Sequence, residues 1–357
     1  MRNSFLFAVA MVLALMVESV SGMIAFADDQ ANVPVTFRNF VRAETDFYFS
    51  KQPLGKLHHN REMAGIDEQT VVRMNRDTLY SSGVFDLDAG PIVVTLPDSG
   101  KRFTSVQVIS QDHYTIEVGY APGRFIYTRD KVGTRYVSLL IRVLANPEDE
   151  ADLQAAHAVQ DAINIRQASA GEFEIPNWDP VSQAKVRDKI KSMATAAMSL
   201  QDKMGPLASL RQSEPPVMFG TKEEVDPIAH LVGTAVGWGG NPPSAAVYEG
   251  FVPTGNDGEL VHKLTLKDVP VDGFWSVSVY NAEGFYEKNG LDAYSLNNLT
   301  AKTDSEGSAT IQFGGCETDT PNCLPITKGW NYTVRLYRPR EEILDGSWTL
   351  PVAQPVS

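Results

Sequence analysis

Hydrophobic spacing changes character three times along this chain. From 36 to about 51, Phe37, Phe40, Val41, Phe47 and Tyr48 recur at helical spacing, with Thr36 placed to cap the helix. Arg42 and Asp46 lie one turn apart and are positioned to pair on its exposed side. A polar, irregular stretch follows, and from Arg73 the period drops to two. Strands are expected over 83–87, 92–96, 102–110, 114–118, 125–127 and 135–144, separated by turn clusters such as Pro97-Asp98-Ser99-Gly100. The short connections predict antiparallel meanders.

The pattern then returns to helix. Asn146-Pro147-Glu148 and Asp179-Pro180 each read as a cap residue followed by proline, starting helices that run to about 165 and 204. Thr221 with Glu224 three residues on is a capping-box pattern for a third helix containing Asp226 and His230. A glycine-rich run around Trp238 and Asn241 ends it; no strand precedes that run, so it is not a dinucleotide fingerprint. Strands return at 247–252, 260–266, 274–281, 309–313, 332–337 and 347–350. The expected fold class is α+β: an N-terminal antiparallel-sheet domain with helices over 28–145, a helical connecting region over 146–232, and a jelly-roll-like β-sandwich over 233–357.

The first 27 residues depart from this scheme. Arg2, an apolar run over 5–17 and Ala25-Phe26-Ala27 have the form of a signal peptide cleaved before Asp28. The run is too short for a good membrane span, so a periplasmic or secreted protein is expected. In such a compartment Cys316 and Cys323, the two cysteines of the chain, predict a disulfide. With no histidine near them they make a poor metal set, and no metal or cofactor motif is found elsewhere. The net charge of −13 and the absence of a basic run argue against a nucleic-acid partner.

Chemistry concentrates in a few places. The stretch 269–298 holds six aromatics interleaved with Asn, Asp, Glu and Ser. Alternation puts Trp275, Val277 and Val279 on the core face of its strand, and leaves Tyr280, Asn281 and Tyr286 at the strand's end and in the loop as ligand-binding candidates. Arg73, Asn75, Asp77 and Tyr80 form the densest polar cluster of the first half, with Asp77 a candidate base. Asp112 and His113 follow a strand, and Asp226 and His230 are one helical turn apart, where a carboxylate can fix an imidazole tautomer. Asp77, Asp112 and His230 are thus the candidate catalytic groups; Arg73, Asn75, Tyr80, His113, Trp238, Asn241, Tyr280, Asn281 and Tyr286 the candidate binding groups. Ser81, Ser82 and Ser295 are candidate nucleophiles, though no G-x-S-x-G elbow is present.

Several of these segments together carry a resemblance: Arg73-Met-Asn-Arg-Asp-Thr-Leu-Tyr80, Gln111-Asp-His-Tyr114, the run from His230 to Asn241, Asp272-Gly-Phe-Trp-Ser-Val-Ser-Val-Tyr-Asn281, and the run from Gly329 to Arg340. The chain resembles the bacterial two-part family in which domain of unknown function 1254 precedes domain of unknown function 1214. The resemblance implies an α+β first part, a β-sandwich second part and no established reaction. Two functions remain open: a hydrolase-like enzyme acting on a small ester, amide or glycoside between the domains, and a non-catalytic ligand-binding or envelope-associated protein that uses the aromatic loop as its contact surface.

Overall fold

The computed structural model describes residues 32–67, 69, 72–204, 216–317 and 319–356. The expected signal peptide and its cleavage site lie outside the described residues. In chain order the first half comprises α1 (Phe40–Phe49), β1 (His58–His59), β2 (Thr78–Asp86), β3 (Ile92–Leu96), β4 (Thr104–Ser110), β5 (Thr115–Tyr120), β6 (Gly123–Tyr127), α2 (Arg129–Val132), β7 (Tyr136–Leu144), α3 (Glu150–Asp161), β8 (Asn164–Arg166), α4 (Pro180–Met204) and α5 (Pro227–Gly237). The second half comprises β9 (Ala246–Phe251), β10 (His262–Leu266), β11 (Trp275–Tyr280), β12 (Ser295–Asn297), β13 (Ala309–Phe313), β14 (Cys323–Leu324), β15 (Asn331–Tyr337), α6 (Glu341–Leu344) and β16 (Gln354–Pro355).

Four sheets result: β1-β2-β7-β4-β5, β6-β3-β8, β12-β11-β15-β9 and β14-β13-β10-β16. The first two are antiparallel and share one core, in which Val94 and Leu96 meet Val106, Val108, Leu139 and Ile141. The last two share another, built from Leu264, Ile311 and Phe313 on one side and Val277, Val279, Tyr332 and Val334 on the other. In that second pair of sheets β13 and β14 run parallel, against the all-antiparallel expectation. The Cys316–Cys323 disulfide is formed at this point, and Cys323 is itself the first residue of β14. Helices α1, α4 and α5 pack on one another through Phe40, Ala43, Val186, Ile190 and Ala235. Among the described residues no helix is long and apolar enough to cross a membrane.

Several boundaries differ from the sequence reading, each for a physical reason. Helix α1 starts at Phe40, because Asn39 Oδ1 accepts from the Thr36 backbone and hydroxyl and holds 36–39 in a turn. Asp46 does not pair with Arg42 on a wet face: it is buried, accepting from the Gln111 amide at 2.6 Å and the Trp178 indole at 2.8 Å. Helix α3 stops at Asp161, since residues 164–166 pair with the free edge of β3. Thr221 and Glu224 do bond, but the helix begins later, where Asp226 caps it and Pro227 fills the first position. Residues 347–350 form no strand; β16 takes the edge of β10 instead.

Strand β11 shows how the two halves meet. Val277 and Val279 enter the core of the second half, as alternation requires. The opposite face, carrying Ser276, Ser278 and Tyr280, is equally buried, because residues 73–77 of the first half cover it. A strand with a hydroxyl-bearing face buried against another polar surface places a polar seam inside the molecule. An apolar contact flanks the seam: Phe103 and Leu144 from the first half pack on Phe274, Tyr337 and Ala246 from the second.

Candidate functional site

The sequence-nominated residues fall into two networks that touch at Gly239. The first surrounds the β4–β5 turn. His113 stands there with a left-handed backbone, φ 64°, its side chain buried. The Gly239 amide donates to its Nε2 at 2.9 Å, so the imidazole proton must sit on Nδ1, which donates to Thr234 Oγ1 at 2.7 Å. Thr234 in turn donates to the His230 carbonyl at 2.8 Å. Both nitrogens are spent on holding the glycine-rich loop, and burial, with His230 adding to it, keeps the imidazole well below its usual basicity. His113 is thus a splint between turn, helix and loop, with no free atom for a ligand.

His230 lies beside it, with Nδ1 3.2 Å from the Met218 carbonyl and Nε2 3.1 Å from the Asp112 carbonyl. Its expected carboxylate partners are engaged elsewhere. Asp226 caps α5 through the Ile228 and Ala229 amides, and the Asp112 carboxylate pairs with Arg42 at 2.5 Å. Asp112 and His230 therefore meet through a backbone carbonyl only, which neither accepts nor delivers a catalytic proton. Trp238 stacks between Tyr48 and His113, and His230 continues the column to Tyr114, with centroid spacings of 4.5, 5.3, 5.4 and 4.8 Å. Trp238 is a packing ring of this column.

The second network is the seam. From the first half come Arg73, Asn75, Asp77 and Tyr80; from the second, β11 and β15. Arg335, central in β15, donates to Ser278 Oγ at 2.8 Å, to the Tyr280 hydroxyl at 2.6 Å and to the carbonyls of Arg73 and Met74 at 2.8 and 3.2 Å. Tyr280 and Tyr286 both donate to the Met74 carbonyl, at 3.0 and 2.8 Å. Asp77 is fully buried, accepting from Asn297 at 3.2 Å. Burial raises its carboxyl above the ordinary 3.8, outweighing the pull of Arg335, Ser276 and Asn297. Ser276 lies against this carboxylate, yet neither its hydroxyl nor Asp77 Oδ2 completes a hydrogen bond. Asn75 ties the segment together, donating to Thr78 Oγ1 and the Tyr80 hydroxyl, each at 2.9 Å, and accepting from the Asp77 amide.

Further along the seam Arg142, directly across the strand pair from Tyr80, is buried among neutral acceptors. It donates to Gln107 Oε1 at 2.9 Å, to Asn241 Oδ1 at 3.3 Å and to the Gly239 carbonyl at 3.3 Å, and its Nε has no hydrogen-bond partner. Burial alone would raise the Tyr80 phenol; the Arg142 guanidinium and the Asn75 amide outweigh it and hold it below the ordinary 10. Asn241 passes the chain of bonds on to the Tyr248 hydroxyl at 2.7 Å. Tyr337 links the two arginines electrostatically, and Tyr80, Tyr120, Tyr248 and Arg338 surround this end with their surfaces partly open, Arg338 lying over the Tyr120 ring at 4.5 Å. Neither Arg142 nor Arg335 has a carboxylate within ion-pair distance among the described residues. A guanidinium withdrawn from water without a counter-ion is costly, so this end of the seam favours an anion.

The structure thus divides the expected catalytic trio. Asp77 sits in the seam, while Asp112 and His230 belong to the other network. The two networks touch at Gly239, whose amide donates to His113 and whose carbonyl accepts from Arg142, but no described hydrogen bond or ion pair links Asp77 directly to Asp112 or His230. The 280–298 loop also turns inward: Tyr280, Tyr286 and Tyr294 are buried on one another rather than displayed as a contact surface. Asn281 builds its own turn, accepting from the Glu283 and Phe285 amides, and the hollow beside it has only about 10 Å³ of free space, room for a single water. Ser81 does have a base in reach, His59 Nδ1 at 2.7 Å, but Ser81 is fully buried and Gln160 donates to the same oxygen. Sequence reasoning missed Arg142 and Arg335. The signal was available: each is the one charged residue of a strand whose other residues are mostly apolar or aromatic.

Residues 54–131 match the family described as protein of unknown function (DUF1254), and residues 254–341 that described as protein of unknown function (DUF1214). No curated protein sequence matches. Among solved structures, the VPA0106 protein from Vibrio parahaemolyticus superposes with a TM-score of 0.63 at 21% identity, covering 90% of this chain and 98% of that one. An uncharacterized protein from Burkholderia cenocepacia gives a TM-score of 0.49 at 13% identity, covering 90% and 87%. The first similarity extends the fold, though not a function, across nearly the whole chain.

Proposed function

For a chain in which a DUF1254 match is followed by a DUF1214 match, we propose an exported protein that binds a small organic anion, an aromatic carboxylate, at the Arg142 end of the seam. The observation that carries this reading is the buried Arg142 guanidinium, ringed by neutral acceptors and phenols and lacking a carboxylate partner. Phenol faces at Tyr80, Tyr120 and Tyr248 suit a flat apolar body, and the guanidinium suits its carboxylate. In this reading the second half is a jelly-roll-like sandwich, the helices of 146–232 are a connecting layer, and the disulfide suits the oxidising compartment that a signal peptide implies. The hydrolase-like alternative is weaker because Asp77, Asp112 and His230 do not converge.

The test is a thermal-shift titration of the mature chain with benzoate and with neutral benzyl alcohol. Benzoate is expected to raise the melting temperature and benzyl alcohol not to. Tyr248→Ser, at the exposed mouth, should weaken the benzoate effect by about 10-fold or less, and Arg142→Gln should remove it. Equal responses to both compounds would overturn the reading. Turnover of a chromogenic ester that disappears in Asp77→Asn would restore the hydrolase.

A further inference from the structure

A second concave surface shares no residue with the seam and is built differently. Strands β6, β3 and β8 form a three-stranded antiparallel sheet in which Thr95 faces both Arg124 and Asn164, while Val93 faces Ile126 and Arg166. Directly paired residues in antiparallel strands point to the same side. One face therefore carries two rows, Arg124-Thr95-Asn164 and Ile126-Val93-Arg166. The alternate residues, Phe125, Val94 and Ile165, turn to the other face and pack on the core.

The front face encloses a cleft of about 270 Å³ lined by Val93, Thr95, Arg124, Asn164 and Arg166. That volume is near the lower end of small-ligand sites. The floor, Val93 and Thr95, is half-buried, and the two arginines and Asn164 stand exposed as walls. No acidic side chain lines the cleft, in a chain with 44 acidic residues against 31 basic. Among the described residues neither arginine joins an ion pair. Arg166 Nε donates only to Asn164 Oδ1, at 3.2 Å, which also aligns the Asn164 side chain along the wall. The arginines sit on outer strands, one row apart, so sheet geometry puts their Cα atoms about 12 Å from each other. Two long side chains at that separation close over the middle strand from opposite corners.

We propose that this cleft is a binding site for a small dianion, a molecule with two carboxylate or phosphate groups, one on each guanidinium, with the Thr95 hydroxyl and Asn164 amide between them. Arginine's planar fork holds such oxyanions bidentately. A ligand with one acidic group engages one corner only, so the site selects for doubly charged molecules. The inference is independent of the seam, since the cleft shares no residue with it.

Calorimetric titration of the mature chain tests this, with succinate and inorganic pyrophosphate as the probes that carry two acidic groups and acetate as the monoanion. Saturable binding of at least one dianion is expected, with acetate at least about 10-fold weaker. Arg124→Gln and Arg166→Gln should each weaken the dianion about 10-fold or more and leave the melting temperature unchanged, because both side chains are exposed and neither joins an ion pair among the described residues. Arg129→Gln, which removes the same charge from a nearby surface ion pair, should leave binding unchanged. The proposal is overturned if neither dianion binds saturably below about 10 mM, if acetate binds equally well, or if Arg129→Gln weakens binding as much as the two cleft variants do. The last result would reduce the effect to net charge.

Discussion

His113 is where one residue's chemistry decides its role. A histidine after Asp112 invites an acid/base reading, yet its Nε2 receives the Gly239 amide and its Nδ1 proton goes to Thr234. Protonating it would require breaking the Gly239 bond in a buried site. Folded His113 therefore stays neutral at a pH where the unfolded chain, with an ordinary imidazole value of 6.5, is already binding a proton. More protons bound in the unfolded state means that stability rises with pH across this window and is lost as pH falls below about 6.5. His59, lowered by burial and by Arg61, contributes in the same direction. The melting temperature should fall between pH 6.5 and 5, and His113→Asn, whose side chain tolerates the left-handed backbone, should be less stable overall but show a shallower fall. An unchanged slope in the variant would remove His113 from the account.

At the scale of elements, what sequence made visible was periodicity. Strands β3 and β13 fall at 92–96 and 309–313 as expected, because β-branched and apolar residues fill the buried alternate positions of each, between clear turn signals. Short strands escaped: β8, β12 and β14 have two or three residues each and exist only because a longer neighbour offers a free edge. The site was half legible for the same reason. The run from Asn75 to Tyr80 stood out as polar residues in sequence, but the face it meets is spread over β11 and β15, and only folding shows that Ser276, Ser278 and Arg335 are buried rather than wet. Arg335 is the element-level consequence. It binds strand β11 through Ser278 and Tyr280 and the first half through two backbone carbonyls. Arg335→Met should cost about 2–4 kcal/mol in urea unfolding, since it strands buried acceptors. Arg335→Lys should recover little of that loss, because a single ammonium cannot reproduce the fork. Full recovery with lysine would mean that charge alone, not geometry, is what the seam needs.

At the scale of the molecule, the matched family segments cut through the sheets they contain. The segment 54–131 contains β2, β4 and β5 but ends before β7, which lies between β2 and β4 and hydrogen-bonds to both. Without it, two long strand edges are open and the buried face of the sheet has lost Val137, Leu139 and Ile141. The segment 254–341 likewise omits β9 and β16, each an edge partner of a central strand. Beyond sheet completion, the seam couples the halves: Asp77 accepts from Asn297, the carbonyls of Arg73 and Met74 accept from Arg335, and Phe103 packs edge-on against Phe274 at 5.1 Å. Each half alone would expose polar groups arranged for a partner together with an apolar patch. Expressed separately, 54–131 and 254–341 should both lack native near-ultraviolet circular dichroism and dispersed amide resonances. The chain from 32 to 356 should unfold in one calorimetric transition whose van't Hoff and calorimetric enthalpies agree. Two resolved transitions, or a well-dispersed spectrum from either fragment, would show that the seam is a contact between independently stable halves; a single transition makes the buried arginines and Asp77 part of one cooperative unit.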